Sequence, residues 1–190
     1  MASTISESVL SAEQFAELPE PREGGKMELV RGRVIIEMPV SGKHGERQLV
    51  IGTALRSFVR PRGIGHVGVE SGFILARDPD VVLAPDVSVI PSSRLPSGEL
   101  PEVGFIEAAP LLAVEVISPN DSEGRAISKA GEYLDAGVER VWLVQAKTRS
   151  VVVFFEGAHV ETVEMGGVLT SRQAGFEVEG FELPVSEIFE

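Results

Sequence analysis

Two hydrophobic periods run through this chain, and the places where one gives way to the other outline its elements. Leu49, Ile51, Leu55, Phe58 and Val59 recur at roughly helical spacing, which predicts a helix over 43–60 stopped by Pro61. Residues 27–38, MELVRGRVIIEM, read as a hairpin of two short strands around Arg31-Gly32. Residues 66–76 alternate as one strand. Residues 81–90, VVLAPDVSVI, form another, and Pro85 inside it marks an irregularity or an edge position. Residues 111–118, LLAVEVIS, are almost continuously apolar, as expected of a central strand covered on both faces. Residues 139–146 and 149–155 form a strand pair around Lys147-Thr148.

Punctuating residues fill the gaps. Residues 1–20 read as a short leader and a helix, with Ser11 as cap, Gln14 as its capping-box partner, and Pro19 and Pro21 as the stop. A second capped helix is predicted over about 122–136, with Asn120, Asp121 or Ser122 at its start and Gly137 at its end. Residues 91–109, rich in Pro, Ser, Gly and Glu, read as a surface loop, and 158–190 as short strands and turns. The run Val151 to Phe155 is too apolar for an exposed edge strand. Either the C-terminal segment covers it, or a second subunit does, which would make a homo-oligomer. No repeat or linker interrupts the chain. The expectation is one α/β domain over 1–190, with its core from about residue 27 and a mixed central sheet flanked by helices.

Composition narrows the class. The 190 residues are 43% hydrophobic and 24% charged, an ordinary globular mixture that can bury a core. No apolar run is long enough to span a bilayer. The first residues lack a basic stretch followed by an apolar one, so the expectation is no secretory signal and a cytoplasmic location. The absence of cysteine excludes disulfides and thiolate metal sites. The net charge of −12 argues against broad contact with nucleic acid, whose affinity comes largely from neutralised phosphates. It leaves room for a small local basic patch, or for no nucleic acid at all.

Three residues carry the candidate chemistry. Glu115 sits inside Leu111-Leu112-Ala113-Val114-Glu115-Val116-Ile117, where an ionised carboxylate needs a cation, a metal or an open cleft beside it. A structural ion pair with an arginine meets that need equally well. Asp86, in Pro85-Asp86-Val87-Ser88-Val89-Ile90, is a second carboxylate set among apolar residues. Two such carboxylates on central strands suit Mg²⁺ or Mn²⁺, with water and phosphate completing the coordination. Lys129 lies on the helix after the Glu115 strand, close enough to balance the carboxylates and stabilise charge on a reacting phosphate. Its bland alternative is a solvent-facing helix lysine. Tyr133 falls four residues on, on the same helix face.

Taken in order, Pro85-Asp86, Glu115-Val116-Ile117-Ser118-Pro119, Lys129, Tyr133, Gly137-Val138 and Val141-Trp142-Leu143-Val144 resemble the Uma2-like family of the PD-(D/E)XK superfamily. The resemblance runs from about Met27 to Ile188-Phe189. It implies a restriction-endonuclease-like core and a metal-dependent endonuclease acting on nucleic acid, DNA above all. It places metal ligands at Asp86 and Glu115. The superfamily's usual lysine position, two residues after the glutamate, is Ile117 here, and Lys129 matches the displaced position on the following helix. The same resemblance adds Glu28, ahead of a glycine turn, and His44, at the start of the second helix. Their bland alternatives are an exposed hairpin carboxylate and a solvent-facing helix residue. Two positions depart from the pattern: Gln145 stands where an aspartate is usual, and Arg125 where an acidic residue is common. Besides the nuclease reading stand a non-catalytic protein of the same fold, used in binding or assembly, and a structural protein whose buried carboxylates form ion pairs.

Overall fold

The computed structural model describes residues 3, 4, 9–119, 121–157 and 159–190. Strand β1 (Ser3–Thr4) and helix α1 (Ala12–Ala16) precede a hairpin of β2 (Lys26–Val30) and β3 (Arg33–Glu37). Its turn holds Arg31 at φ 51° and Gly32 at φ 74°, the paired left-handed conformations that a two-residue hairpin turn favours. The capping box predicted for α1 is present, with Ser11 and Gln14 exchanging side-chain and backbone hydrogen bonds. Helix α2 (Gly42–Val59) begins at Ser41, whose hydroxyl accepts the His44 N–H. It buries Ile51, Leu55, Phe58 and Val59, whereas Leu49, assigned to the apolar face from its spacing, is exposed.

The largest correction concerns the middle of the chain. The single strand predicted over 66–76 is two, β4 (Gly65–Val69) and β5 (Phe73–Ala76). The single strand predicted over 81–90 is also two, β6 (Val81–Leu83) and β7 (Val87–Pro91). β5 pairs with β6 in one sheet, and β4 with β7 in another. The two strand pairs form one bent ribbon. Its corners are Glu70–Gly72 on one side, with Glu70 at φ 52°, and Ala84–Asp86 on the other. Pro85 accounts for the second corner: it has no N–H to give to a ladder, so the chain leaves one sheet there and joins the next. Asp86 therefore precedes β7 rather than lying within a strand.

The first sheet has strand order β1-β3-β2-β6-β5. The second is completed by β8 (Leu112–Ile117), β9 (Arg140–Gln145), β10 (Ser150–Phe155) and β11 (Val160–Val163), in the order β11-β10-β9-β8-β7-β4. β8 and β9 are parallel, joined through helix α3 (Glu123–Asp135), and the other pairs in this sheet are antiparallel. The sheet is thus mixed, as expected. Residues 91–109 are less superficial than their composition implies. Leu95 and Ile106 are buried, and Ile106 bridges to Phe73.

Alternation along β8 sorts its side chains between two cores. Leu112, Val114 and Val116 pack with α2 and the C-terminal segment. Ala113 packs with Ala126, Ala130 and Tyr133 of α3, joined by Ile117, and Glu115 shares that face. Ser122 begins α3 and Gly137, at φ 86°, follows it, while Asn120 lies outside the described residues. The C-terminal region holds more helix than expected: β12 (Val168–Thr170), α4 (Ser171–Ala174), β13 (Glu182–Pro184) and α5 (Val185–Phe189). Together with β11 it covers β10, so Val151, Val153 and Phe155 are buried within the chain. That run does not require a second subunit. No described helix is long and apolar enough to cross a membrane.

Candidate functional site

The site forms where the bent ribbon parts the two sheets. The chain needs new backbone partners at that corner, and charged side chains supply them. Glu28 of β2 accepts the Ala84 N–H at 2.9 Å, and Lys26, two residues earlier on the same face, donates to the Ala84 carbonyl at 2.7 Å. Asp86 Oδ2 accepts the Val116 N–H at 2.6 Å. The Asp86 carboxylate is thereby held beside Glu115 on the neighbouring strand, at the point where the β7–β8 ladder ends.

Glu115 faces α3. Its Oε1 accepts the Tyr133 hydroxyl at 2.6 Å and lies 2.9 Å from Lys129 Nζ. Lys129 Nζ is also 2.9 Å from Glu28 Oε1 and 3.7 Å from Glu37 Oε1. Lys26 Nζ lies 3.4 Å from Glu37 Oε2, 3.5 Å from Asp86 Oδ1 and 3.9 Å from Glu28 Oε1. Helix α2 closes the remaining side. Gln48 Nε2 donates to Asp86 Oδ1 at 3.1 Å and Glu70 Oε1 at 3.2 Å. His44 Nε2 is 3.2 Å from Asp86 Oδ2, too poorly aligned for a hydrogen bond, and neither ring nitrogen has a hydrogen-bond partner among the described residues.

All five residues singled out in the sequence reach this cluster. Glu28 is 1% exposed and His44 4%, so neither bland alternative describes its position. Lys129 turns inward, its side chain 11% exposed. Sequence reasoning missed Lys26, Glu37 and Gln48. Their signals were present: Lys26 lies two residues before Glu28, Glu37 pairs with Lys26 across the hairpin, and Gln48 is one helical turn from His44. Arg125, one turn before Lys129, pairs with Glu37 at 3.2 Å. Gln145 lies at the end of β9, where its side chain accepts the Thr148 hydroxyl at 3.0 Å.

Charge balance sets the electrostatics. Burial is the largest influence on Glu115 and pushes its carboxyl up to about 7, against the pull of Lys129 and Lys26. Burial also opposes ionisation of Asp86. The His44 ring, the Lys26 ammonium and the Val116 amide outweigh it and bring Asp86 down to about 2. Burial and the neighbouring Lys129 both disfavour charge on Lys26, yet Glu115, Glu28 and Asp86 hold its ammonium well above the usual range. Tyr133 is pushed up by burial and by the carboxylates of Glu115 and Glu28, so it keeps its proton and donates. Four carboxylates, Glu28, Glu37, Asp86 and Glu115, thus share two buried ammonium groups.

No cluster of three or more acidic or histidine side chains among the described residues is arranged to hold a metal ion unaided. Magnesium does not need one, since it is commonly held by one or two carboxylates with water and substrate oxygens completing the shell. The hard oxygens of Asp86 and Glu115, and the surplus of carboxylates over ammonium groups, fit such a cation.

A mixed sheet flanked by helices, with carboxylates at the end of a strand pair and a lysine on the next helix, defines a restriction-endonuclease-like protein. The chain belongs to the Uma2 family, whose model, described as "Putative restriction endonuclease", matches residues 12–186. Among solved structures it is similar to a "putative nuclease belonging to DUF820" from Anabaena variabilis ATCC 29413. That similarity has a TM-score of 0.75 and 25% sequence identity, over 95% of this chain and 97% of the other. No curated protein matches.

Proposed function

We propose that this protein is a divalent-metal-dependent nuclease that hydrolyses phosphodiester bonds in nucleic acid, DNA above all. The observation that carries the reading is the anchoring of Asp86 on the Val116 amide. It brings one carboxylate beside Glu115, with Lys129 Nζ 2.9 Å from the latter. Asp86 and Glu115 would hold Mg²⁺ or Mn²⁺. The Val116 carbonyl would help, because it leaves the strand on the same side as the N–H that Asp86 takes. When bound, the cation polarises phosphate oxygens and supplies an activated water.

The chain's own residues do the rest. Tyr133 fixes the Glu115 carboxylate through its hydroxyl. Lys129 keeps its proton, since the carboxylates of Glu115, Glu28 and Glu37 outweigh the cost of burial. It therefore brings a fixed positive charge to a phosphorus centre that gains negative charge as it is attacked. Glu28 holds Lys129 in place while its backbone contact to Ala84 fixes the corner that presents Asp86. His44, whose ring nitrogens beside Asp86 have no hydrogen-bond partner among the described residues, would meet a phosphate oxygen or a water.

The test is a cleavage screen on duplex DNA, single-stranded DNA and RNA with Mg²⁺ and Mn²⁺, comparing wild type with Glu115→Ala. The expected result is cleavage that requires the metal and is lost in the variant. A folded wild type that cleaves none of these substrates with either ion overturns the reading in favour of a non-catalytic nuclease fold.

A further inference from the structure

The chain is acidic overall, yet residues 42–62 hold five basic residues and one acidic one. Arg56, Arg60 and Arg62 gather at the C-terminal end of α2 and in the turn after it, and all three are exposed. No carboxylate pairs with any of them among the described residues. Arg62 instead bonds the Phe58 carbonyl and lies over the Phe58 ring. Elsewhere Arg31, Arg77 and Arg172 are each paired with a glutamate or aspartate. Arg22, Arg33 and Arg149 are exposed without such a partner among the described residues, but they sit singly on other segments and line no part of this surface. Arg56 and Arg60 also line a cavity of about 350 Å³ beside the edge strand β4, together with His66 of that strand. Glu99 is the one acidic lining residue, and its carboxylate lies toward His66, 3.8 Å away, rather than toward the arginines.

The position matters as much as the charge. The same helix delivers His44 and Gln48 to the carboxylate cluster at its other end. At 1.5 Å rise per residue, Arg56 lies roughly 12 Å and Arg60 roughly 18 Å beyond Gln48 along the helix. These distances correspond to roughly four to five base steps of a duplex at 3.4 Å per step. We infer that the cavity and arginine surface at the end of α2 receive the phosphate backbone of the nucleic acid whose scissile bond lies at the carboxylate cluster. This rests on the nuclease reading and extends it. It also answers the charge objection: binding is confined to one short basic surface, so the acidic remainder need not meet the substrate. Arginine suits the task, because its guanidinium stays charged and matches two phosphate oxygens at once.

The experiment measures affinity for a fluorescent 20-base-pair duplex, and for its single strand, as a function of salt, without divalent metal so that no cleavage intervenes. Arg56→Ala/Arg60→Ala is compared with wild type, with the charge-keeping Arg56→Lys/Arg60→Lys, and with Arg22→Ala/Arg33→Ala, two exposed arginines that line no part of the cavity. The expected result is at least a tenfold loss of affinity for the alanine pair, with the slope of log K against log salt reduced by about 2. The lysine pair keeps the slope, and the Arg22/Arg33 pair behaves as wild type. Magnesium affinity measured by calorimetry stays unchanged in all of them. An alanine pair that binds with wild-type affinity and slope overturns the proposal, as does a wild type that binds neither probe. Loss of the slope in a protein that cleaves nothing would retain the surface and discard the nuclease reading. Unchanged slope in an active nuclease would do the reverse.

Discussion

Two buried acidic centres stand at opposite ends of β6, and they are built on opposite principles. Asp80, just before the strand, is fully provided for. It accepts the Ala12 N–H at 2.8 Å and the Asp78 N–H at 3.2 Å, and pairs with Arg77 at 3.0 Å. These hydrogen bonds, led by that from Ala12, hold its carboxyl below the usual range. Past the other end of the strand, the Asp86–Glu115 centre is left short. It gathers more carboxylates than ammonium groups, keeps Glu115 near 7, and leaves both nitrogens of His44 without hydrogen-bond partners among the described residues. A buried carboxylate is thus no sign of chemistry by itself. What separates the two centres is whether the chain closes its own account of charges and hydrogen bonds. Asp80 ties α1 to the first sheet, while the other centre keeps polar atoms that no described residue pairs.

The largest effect that tests this contrast falls on Lys129. Lys129→Ala should lower turnover by on the order of a hundredfold or more, as loss of one transition-state charge stabiliser does. It should also lower stability in the absence of metal by about 3 kcal/mol, because Glu28 and Glu115 lose a shared buried partner. The cost in stability is new information from the structure, since a surface lysine would have had none. Single-turnover cleavage and urea denaturation check the two parts, and full activity would remove Lys129 from the chemistry and turn attention to Lys26.

Asp80→Ala should produce the converse: about 2 kcal/mol lost, from buried donors left without an acceptor, with metal affinity and turnover kept. Impaired turnover at full folding would erase the distinction between the two centres. A third test concerns pH dependence. An unfolded glutamate releases its proton near pH 4.3, whereas folded Glu115 keeps it until about 7. Between those values the folded state binds more protons than the unfolded one, so this contribution to stability falls as pH rises and levels off above 7. Glu115→Gln should flatten that decline in metal-free denaturation curves measured from pH 4.5 to 8. An unaltered decline would place its source elsewhere.

Much of this was legible in the chain. The α2, β8 and α3 segments carry strong periods and clear stops, and Glu115 declares itself because a charge inside an apolar strand is expensive. The bent ribbon was not legible as two pairs of strands. Alternation continues across Glu70–Gly72, and the apolar run continues across Ala84–Asp86, so period alone cannot show that the chain changes sheets. Pro85 was the available signal, read as an irregularity when it marked a corner. Lys26 and Glu37 escaped notice for a different reason. On a hairpin, charged residues two apart ordinarily face water, and only the docking of α3 above them makes that face an interior. The helices near the C-terminus are too short for a periodic signal.

The bent ribbon has one more consequence, for the order in which the molecule comes into being. Glu28 meets Ala84 and Lys129, Asp86 meets Val116, and Arg125 reaches back to Glu37 across 88 positions of chain. Contacts so distant in sequence close late, because long loops must be drawn together before they are rewarded. A half-folded chain, or one still emerging from synthesis before α3, holds the pieces of the centre without their convergence. The centre therefore assembles only with the final docking of the two sheets, and a cation binding only the finished arrangement would act as a latch on the whole fold.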